Sequence, residues 1–177
     1  MKRVLALLLF SFSVCVSAQK GVFLAPEAFS RQAFENPQKS LQTLWLNRAL
    51  KDKAAKILGH PFSGLRQRYW GGGNRTAWVF EEIGKEQPIT IGVLVENNRI
   101  LNIQVLEYRE SRGGEVRYPF FTRQFERLGL IAGPEKMTLD GRIDGITGAT
   151  LSVRAITKVA TLALYFHHNT PFNHVGA

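Results

Sequence analysis

The stretch Ile89–Tyr108, ITIGVLVENNRILNIQVLEY, decides the fold. Its halves, Ile89 to Glu96 and Ile100 to Tyr108, are rich in β-branched residues, and Asn97-Asn98 between them tolerates the positive φ of a tight hairpin turn. In the second half Leu101, Ile103 and Val105 fall on one side of a strand and Asn102 and Gln104 on the other, the period of two of a half-buried strand. Working outward, Ala77 to Glu82 has the same character. Gly71-Gly72-Gly73-Asn74 is placed to turn a strand holding Tyr69 and Trp70 into the one holding Trp78. An antiparallel meander is expected.

Helical spacing appears on both sides of it. From Ser40 to Leu58, Leu41, Leu44, Trp45, Ala49, Leu50, Ala54 and Ile57 recur among lysines, which predicts one amphipathic helix or two short ones closed by Gly59-His60-Pro61. After Glu110-Ser111-Arg112-Gly113-Gly114-Glu115, the run Pro119 to Leu128 reads as a short helix presenting Phe120, Phe121, Gln124, Phe125 and Leu128, ended by Gly129 and Gly133-Pro134. Val153, Ile156, Val159, Ala160 and Ala163 form the stripe of a C-terminal helix over residues 150–166.

With 177 residues, 45% of them hydrophobic and 21% charged, the chain has material for one core. The expected class is α+β, a single domain with an antiparallel sheet and packed helices. An aromatic content of 11%, 16 glycines without a period and short apolar runs exclude disorder, collagen-like structure and a polytopic membrane protein.

Residues 1–18 read as a secretory signal peptide: Met1-Lys2-Arg3, an apolar run from Val4 to Val16, then Val16-Ser17-Ala18 before Gln19. The run is shorter than the about 20 residues of a comfortable transmembrane helix. Cys15 is the only cysteine, and Phe12-Ser13-Val14 before it lacks the small residues of a lipoprotein signal. Cleavage after Ala18 would leave no thiol for disulfides, metal sites or haem attachment. The net charge is +9, of which Lys2 and Arg3 contribute two, leaving +7 for the exported chain. Export makes nucleic acid an unsuitable partner. Anionic ligands, acidic protein surfaces or lipid headgroups suit the charge better, and a solvated basic surface is the alternative.

The chemistry concentrates in Asp144-Gly145-Ile146-Thr147-Gly148-Ala149-Thr150. A glycine-rich turn delivering a threonine to a helix start suits phosphate, because the first helical N–H groups lack internal partners and the dipole favours negative charge there. Gly145 and Gly148 allow positive φ and close approach of a ligand, and Ala149 keeps the space beside the hydroxyl small. Physics alone also allows a plain helix cap by Thr147 or Thr150.

This seven-residue motif resembles the flavinylation motif of the FMN-binding domain family, whose members include the C subunit of sodium-translocating NADH:quinone oxidoreductase and the G subunit of the Rnf complex. The resemblance implies that a flavin transferase splits FAD and esterifies FMN through its phosphate to Thr150, with Asp144, Gly145, Thr147, Gly148 and Ala149 completing the site. Upstream, Glu107 to Glu115 after the strands resembles the central part of a free-standing FMN-binding domain; Gly113 and Gly114 are candidates for cofactor contacts, and Glu110 reads either as a contact to the ring or ribityl chain or as a surface carboxylate. The similarity covers residues 75–168, and the domain is assigned to 66–170, after an N-terminal helical segment 19–65 that the resemblance leaves unexplained. The quinone-reductase subunits are larger and carry an N-terminal membrane helix, so a small periplasmic relative is implied instead.

Trp70, Trp78 and Tyr108 are candidates to flank the flavin ring, and Arg109 or Arg112 to offset negative charge on it. His167, His168 and His174 lack a carboxylate or thiolate companion, so no metal is assigned, and His60 reads as structural. Ser152 has no recognisable base, and no catalytic residue is assigned. The function implied is periplasmic electron transfer, with a membrane or periplasmic redox protein such as a cytochrome or membrane reductase as partner. The alternatives are a flavin-dependent reductase of a small substrate and a non-redox binding module.

Overall fold

The computed structural model describes residues 21–34, 36, 40–133 and 136–173. In chain order they form β1 (Gly21–Val22), α1 (Pro26–Arg31), β2 (Leu41–Trp45), α2 (Arg48–Leu58), β3 (Arg66–Gly72), β4 (Arg75–Ile83), β5 (Pro88–Glu96), β6 (Arg99–Tyr108), a 3-10 turn (Gly114–Arg117), α3 (Pro119–Thr122), a second 3-10 turn (Arg123–Phe125), β7 (Leu130–Ala132), β8 (Met137–Leu139) and α4 (Thr150–His167). The first six strands make one antiparallel sheet in the order β1-β6-β5-β4-β3-β2, and β7 and β8 pair separately. The expected α+β domain is what the chain forms. Residues 1–18, read above as a signal peptide, with Cys15, and His174 lie outside the described residues. No helix among the described residues is long and apolar enough to cross a membrane.

The β5–β6 hairpin turns on Asn97 and Asn98 at φ 51° and 61°, as the pair implied. Its ladder shifts register twice, so that Leu106 and Leu101 are the extra residues of two bulges. The shift corrects one expectation: Ile100 takes the core position beside Ile103 and Val105, and Leu101 is turned out, 42% exposed. Leu106 is sent to the opposite face of the sheet.

One sheet face packs against α4 and α2. Trp78 lies fully buried there, stacked on Tyr69 at 4.4 Å, among Ile89, Ile91, Val93, Ile156, Val159, Ala163 and Phe166. The other face is crossed by the N-terminal segment. Phe29 of α1 packs with Ala77, Leu94 and Leu106, and its ring fills the space that a side chain at Gly92 would need, 2.8 Å from the position of a Cβ.

Segment 19–65 is therefore not a helical appendage. It supplies both edge strands, β1 on β6 and β2 on β3, as well as α1 and α2. Leu41, Leu44 and Trp45 belong to a strand in which Leu44 faces the core and Leu41 and Trp45 do not. The helix begins only at Arg48, capped by Asn47, whose Oδ1 accepts from the Leu50 N–H at 2.9 Å, and stops at Gly59 with φ 77°. The expected helix from Pro119 to Leu128 likewise shortens to α3 and a 3-10 turn, which bury Phe121 and Phe125 edge-to-face at 5.5 Å and leave Phe120 exposed.

A buried carboxylate ties α2 and α4 to the sheet. Glu82 of β4 accepts from Lys158 Nζ at 3.3 Å and meets His60 Nε2 at 2.9 Å. His60 is structural, as expected.

Candidate cofactor site

At the end of the sheet where β4 turns into β5 and β6 ends, a cavity of about 590 Å³ is lined by Lys85, Glu110, Ser111, Arg112 and Gly148 to Ser152. Its size lies in the range of small-molecule sites. Two segments distant in sequence meet here, the residues after β6 and the start of α4.

Thr150 is the first residue of α4 and is exposed. The N-cap position is held by Ala149, and no side chain caps the helix. Neither Thr147 nor Thr150 therefore serves as the cap. The first-turn N–H groups and the positive end of an 18-residue helix face the cavity, beside the cationic side chains of Lys85 and Arg112. Such an arrangement suits a phosphate.

Glu110 is only 4% exposed, not a surface carboxylate. Its Oε1 accepts the backbone N–H groups of Lys85 at 2.5 Å, Glu86 at 2.7 Å and Gln87 at 3.0 Å. The turn closes over the carboxylate because Gly84 has no side chain: a Cβ there would stand 2.8 Å from Oε1. Burial works to raise the Glu110 pKa, and the three N–H donors outweigh it, so the carboxyl titrates below its usual 4.5. All three donors converge on Oε1, and Glu110 itself lines the cavity.

Tyr108 and Ser152 fix the floor. The Tyr108 hydroxyl donates to the Arg112 carbonyl at 2.5 Å, so at 3.0 Å the Ser152 hydroxyl is the donor to Tyr108. Burial pushes the Tyr108 pKa up and keeps its proton in place. Gly113, at φ 80°, lies directly against Ala149.

Not every sequence candidate reaches the cavity. Gly148, Ala149, Thr150, Glu110 and Arg112 line it, while Asp144, Gly145 and Thr147 sit on the exposed approach to the helix. The Asp144 N–H donates to Gln124 Oε1 at 2.7 Å, and its carboxylate lies 3.8 Å from Arg142. Gly148 has the anticipated positive φ of 83°; Gly145 does not. Gly113 and Gly114 are buried behind the lining. Trp78 is sealed in the core and Trp70 packs on the far sheet face, so neither is placed to flank a ring. Arg109 is engaged by Glu107 at 2.5 Å and Glu81 at 3.2 Å. Lys85 and Gly84 were not legible as site residues, because only the Glu110 contact reveals the role of their turn. Ser152, which has no base to activate it, serves instead as the hydrogen-bond donor to Tyr108.

His167 is buried with Nδ1 2.7 Å from Thr76 Oγ1, and among the described residues no group of three or more His, Cys, Asp or Glu is placed to hold a metal ion.

Comparison with curated proteins gives no match. Residues 84–165, which begin at the glycine under Glu110 and end within α4, match the family model of the FMN-binding domain, and over this span the chain is similar to that family.

Proposed function

We propose that the chain is a periplasmic flavoprotein that carries FMN on Thr150 through a phosphoester bond and acts in electron transfer between redox partners. One observation carries the reading: the Thr150 hydroxyl stands exposed at the uncapped start of a long helix, on a cavity that also offers Lys85, Arg112 and an ionised Glu110. The residues fit the group. Lys85, Arg112 and the first-turn N–H groups offset phosphate charge, and the Glu110 carboxylate accepts from a hydroxyl or N–H donor of the cofactor.

Attachment needs a flavin transferase. The Thr150 oxygen attacks the phosphorus on the FMN side of FAD; the new O–P bond replaces the pyrophosphate bond, AMP leaves, and the hydroxyl proton passes to solvent. A Cβ at Gly145 or Gly148 would have no neighbour within 4 Å, so the approach to Thr150 is open to a second protein.

FMN, when bound, supplies one- and two-electron redox chemistry. The chain's own part is to hold the phosphate end and to present a basic surface to an acidic partner, such as a cytochrome or a membrane reductase.

The test is intact mass and absorbance of the chain co-expressed with a flavin transferase, beside Thr150→Ala. One FMN per chain, retained on denaturation and lost in the variant, supports the assignment. A colourless, unmodified wild type under those conditions overturns it.

A further inference from the structure

The basic charge is concentrated. Between Leu41 and Arg68 the chain carries Arg48, Lys51, Lys53, Lys56, Arg66 and Arg68 against a single acid, Asp52. Within and beside this region three large apolar side chains stand in solvent: Leu65 is 71% exposed, Trp45 66% and Ile83 63%. They share one end of the sheet. Trp45 is the last residue of β2 and pairs with Arg66, the first of β3; Leu65 immediately precedes Arg66; Ile83 is the last residue of β4. The Leu46 N–H donates to the Leu65 carbonyl at 3.0 Å, which holds the two exposed side chains to one corner. That end of the sheet also carries the Gly84–Gln87 turn over Glu110.

We propose that this corner docks on an anionic phospholipid surface, with Trp45, Leu65 and Ile83 entering the headgroup region, Arg66 and Arg68 meeting the phosphates, and Arg48 and the α2 lysines adding to the positive field around them. Charge complementarity supports the choice. The acids nearby are already engaged, Asp52 by Arg48 at 3.9 Å, Glu81 by Arg109 at 3.2 Å, Glu86 by Lys85 at 3.2 Å and Glu82 in the core. The Arg66 guanidinium lies over the Trp45 ring at 5.7 Å, a cation beside an aromatic of the kind that settles at a membrane–water boundary. Separate apolar anchors in a field of lysine and arginine suit a lipid surface better than a protein partner, which would want a contiguous apolar centre. Docked this way, the chain presents the Thr150 end of the fold near the bilayer.

Binding of flavin plays no part in the test. The exported form, residues 19–177, which contains every described residue, is floated with vesicles of phosphatidylcholine alone and of phosphatidylcholine with phosphatidylglycerol. The expected result is partition onto the anionic vesicles only, weakened by high salt, and reduced about tenfold or more by Trp45→Ser/Leu65→Ser and by Arg66→Glu/Arg68→Glu. Circular dichroism checks that each variant is folded, and Arg48→Glu/Lys56→Glu replaces the second pair if it is not. Failure to bind anionic vesicles overturns the proposal, as does binding that all variants retain. Binding that only the charge reversals abolish overturns the insertion of Trp45, Leu65 and Ile83 and leaves a purely electrostatic contact.

Discussion

Gly113 and Ala149 are in contact: a Cβ on Gly113 would lie 3.0 Å from the Ala149 methyl and 3.0 Å from the Tyr108 hydroxyl oxygen. The loop after β6 thereby sits directly on the residue before Thr150. Gly113 is needed both for its φ of 80° and for its lack of bulk.

Gly113→Ala should therefore cost about 3 kcal/mol, combining left-handed strain with overpacking. Gly148→Ala, at φ 83° with no neighbour within 4 Å, should cost about 1 kcal/mol. Urea midpoints of the two variants compare them directly; equal losses would mean that the contact with Ala149 does not matter.

Glu110→Gln keeps the shape but removes the charge from three N–H donors, at an expected cost of about 2 kcal/mol at neutral pH. Because the folded-state pKa is lowered, the contribution of Glu110 is present above 4.5 and is lost as pH falls through the lowered value. Below that range the variant and the wild type should converge. Chemical denaturation across acid pH measures the gap, which should not widen as the pH drops.

His167 gives a second acid-sensitive step. Burial, aided by the nearby His168, lowers its pKa to about 4. The neutral ring is therefore favoured in the folded state, and stability is lost as pH falls from 6.5 towards 4, by about 3 kcal/mol in the limit. His167→Asn should be less stable at neutral pH and show a flatter profile over this window. An unchanged slope would rule out His167 as its source.

His60 acts in the opposite sense. Its hydrogen bond to Glu82 raises its pKa above 6.5, so its contribution is complete below 6.5 and fades as pH rises through the raised value. The ring is half exposed and solvent screens it, which limits the effect to less than about 1 kcal/mol. His60→Ala should remove that alkaline loss, read as a change in thermal midpoint with pH.

Phe29→Ala should cost about 3–4 kcal/mol, since the ring is buried across the sheet. Gly92→Ala should free the same segment by pushing against that ring, and both variants should speed proteolytic cleavage near α1. Intact protection in either variant would show that the segment is held by other contacts.

Legibility followed the strength of the physical signal. The strands from Arg75 to Tyr108 could be read because alternation and the Asn97-Asn98 turn point to the same structure. β2 could not, because an edge strand buries so little that Leu41, Leu44 and Trp45 fall at helical intervals by accident. β7 and β8 are three residues each and too short to show a period. The place of Thr150 at the start of α4 was legible, because the apolar stripe from Val153 to Ala163 follows directly on the glycine-rich turn. The burial of Glu110 was not, because its partners lie on a turn more than twenty residues earlier and donate through backbone, which any sequence supplies.

The pairing of β1 with β6 sets an order of events. Gly21 and Val22 find their partners only at Tyr108 and Glu107, so β1 must wait for the sixth strand before it can close the sheet. Such long-range closure comes late in folding. Tyr108 is also the residue that bonds Ser152 and the Arg112 carbonyl, so the strand on which β1 closes is the one that carries the floor beneath Thr150. A chain that has not brought β6 against the start of α4 therefore has no finished cavity beside Thr150.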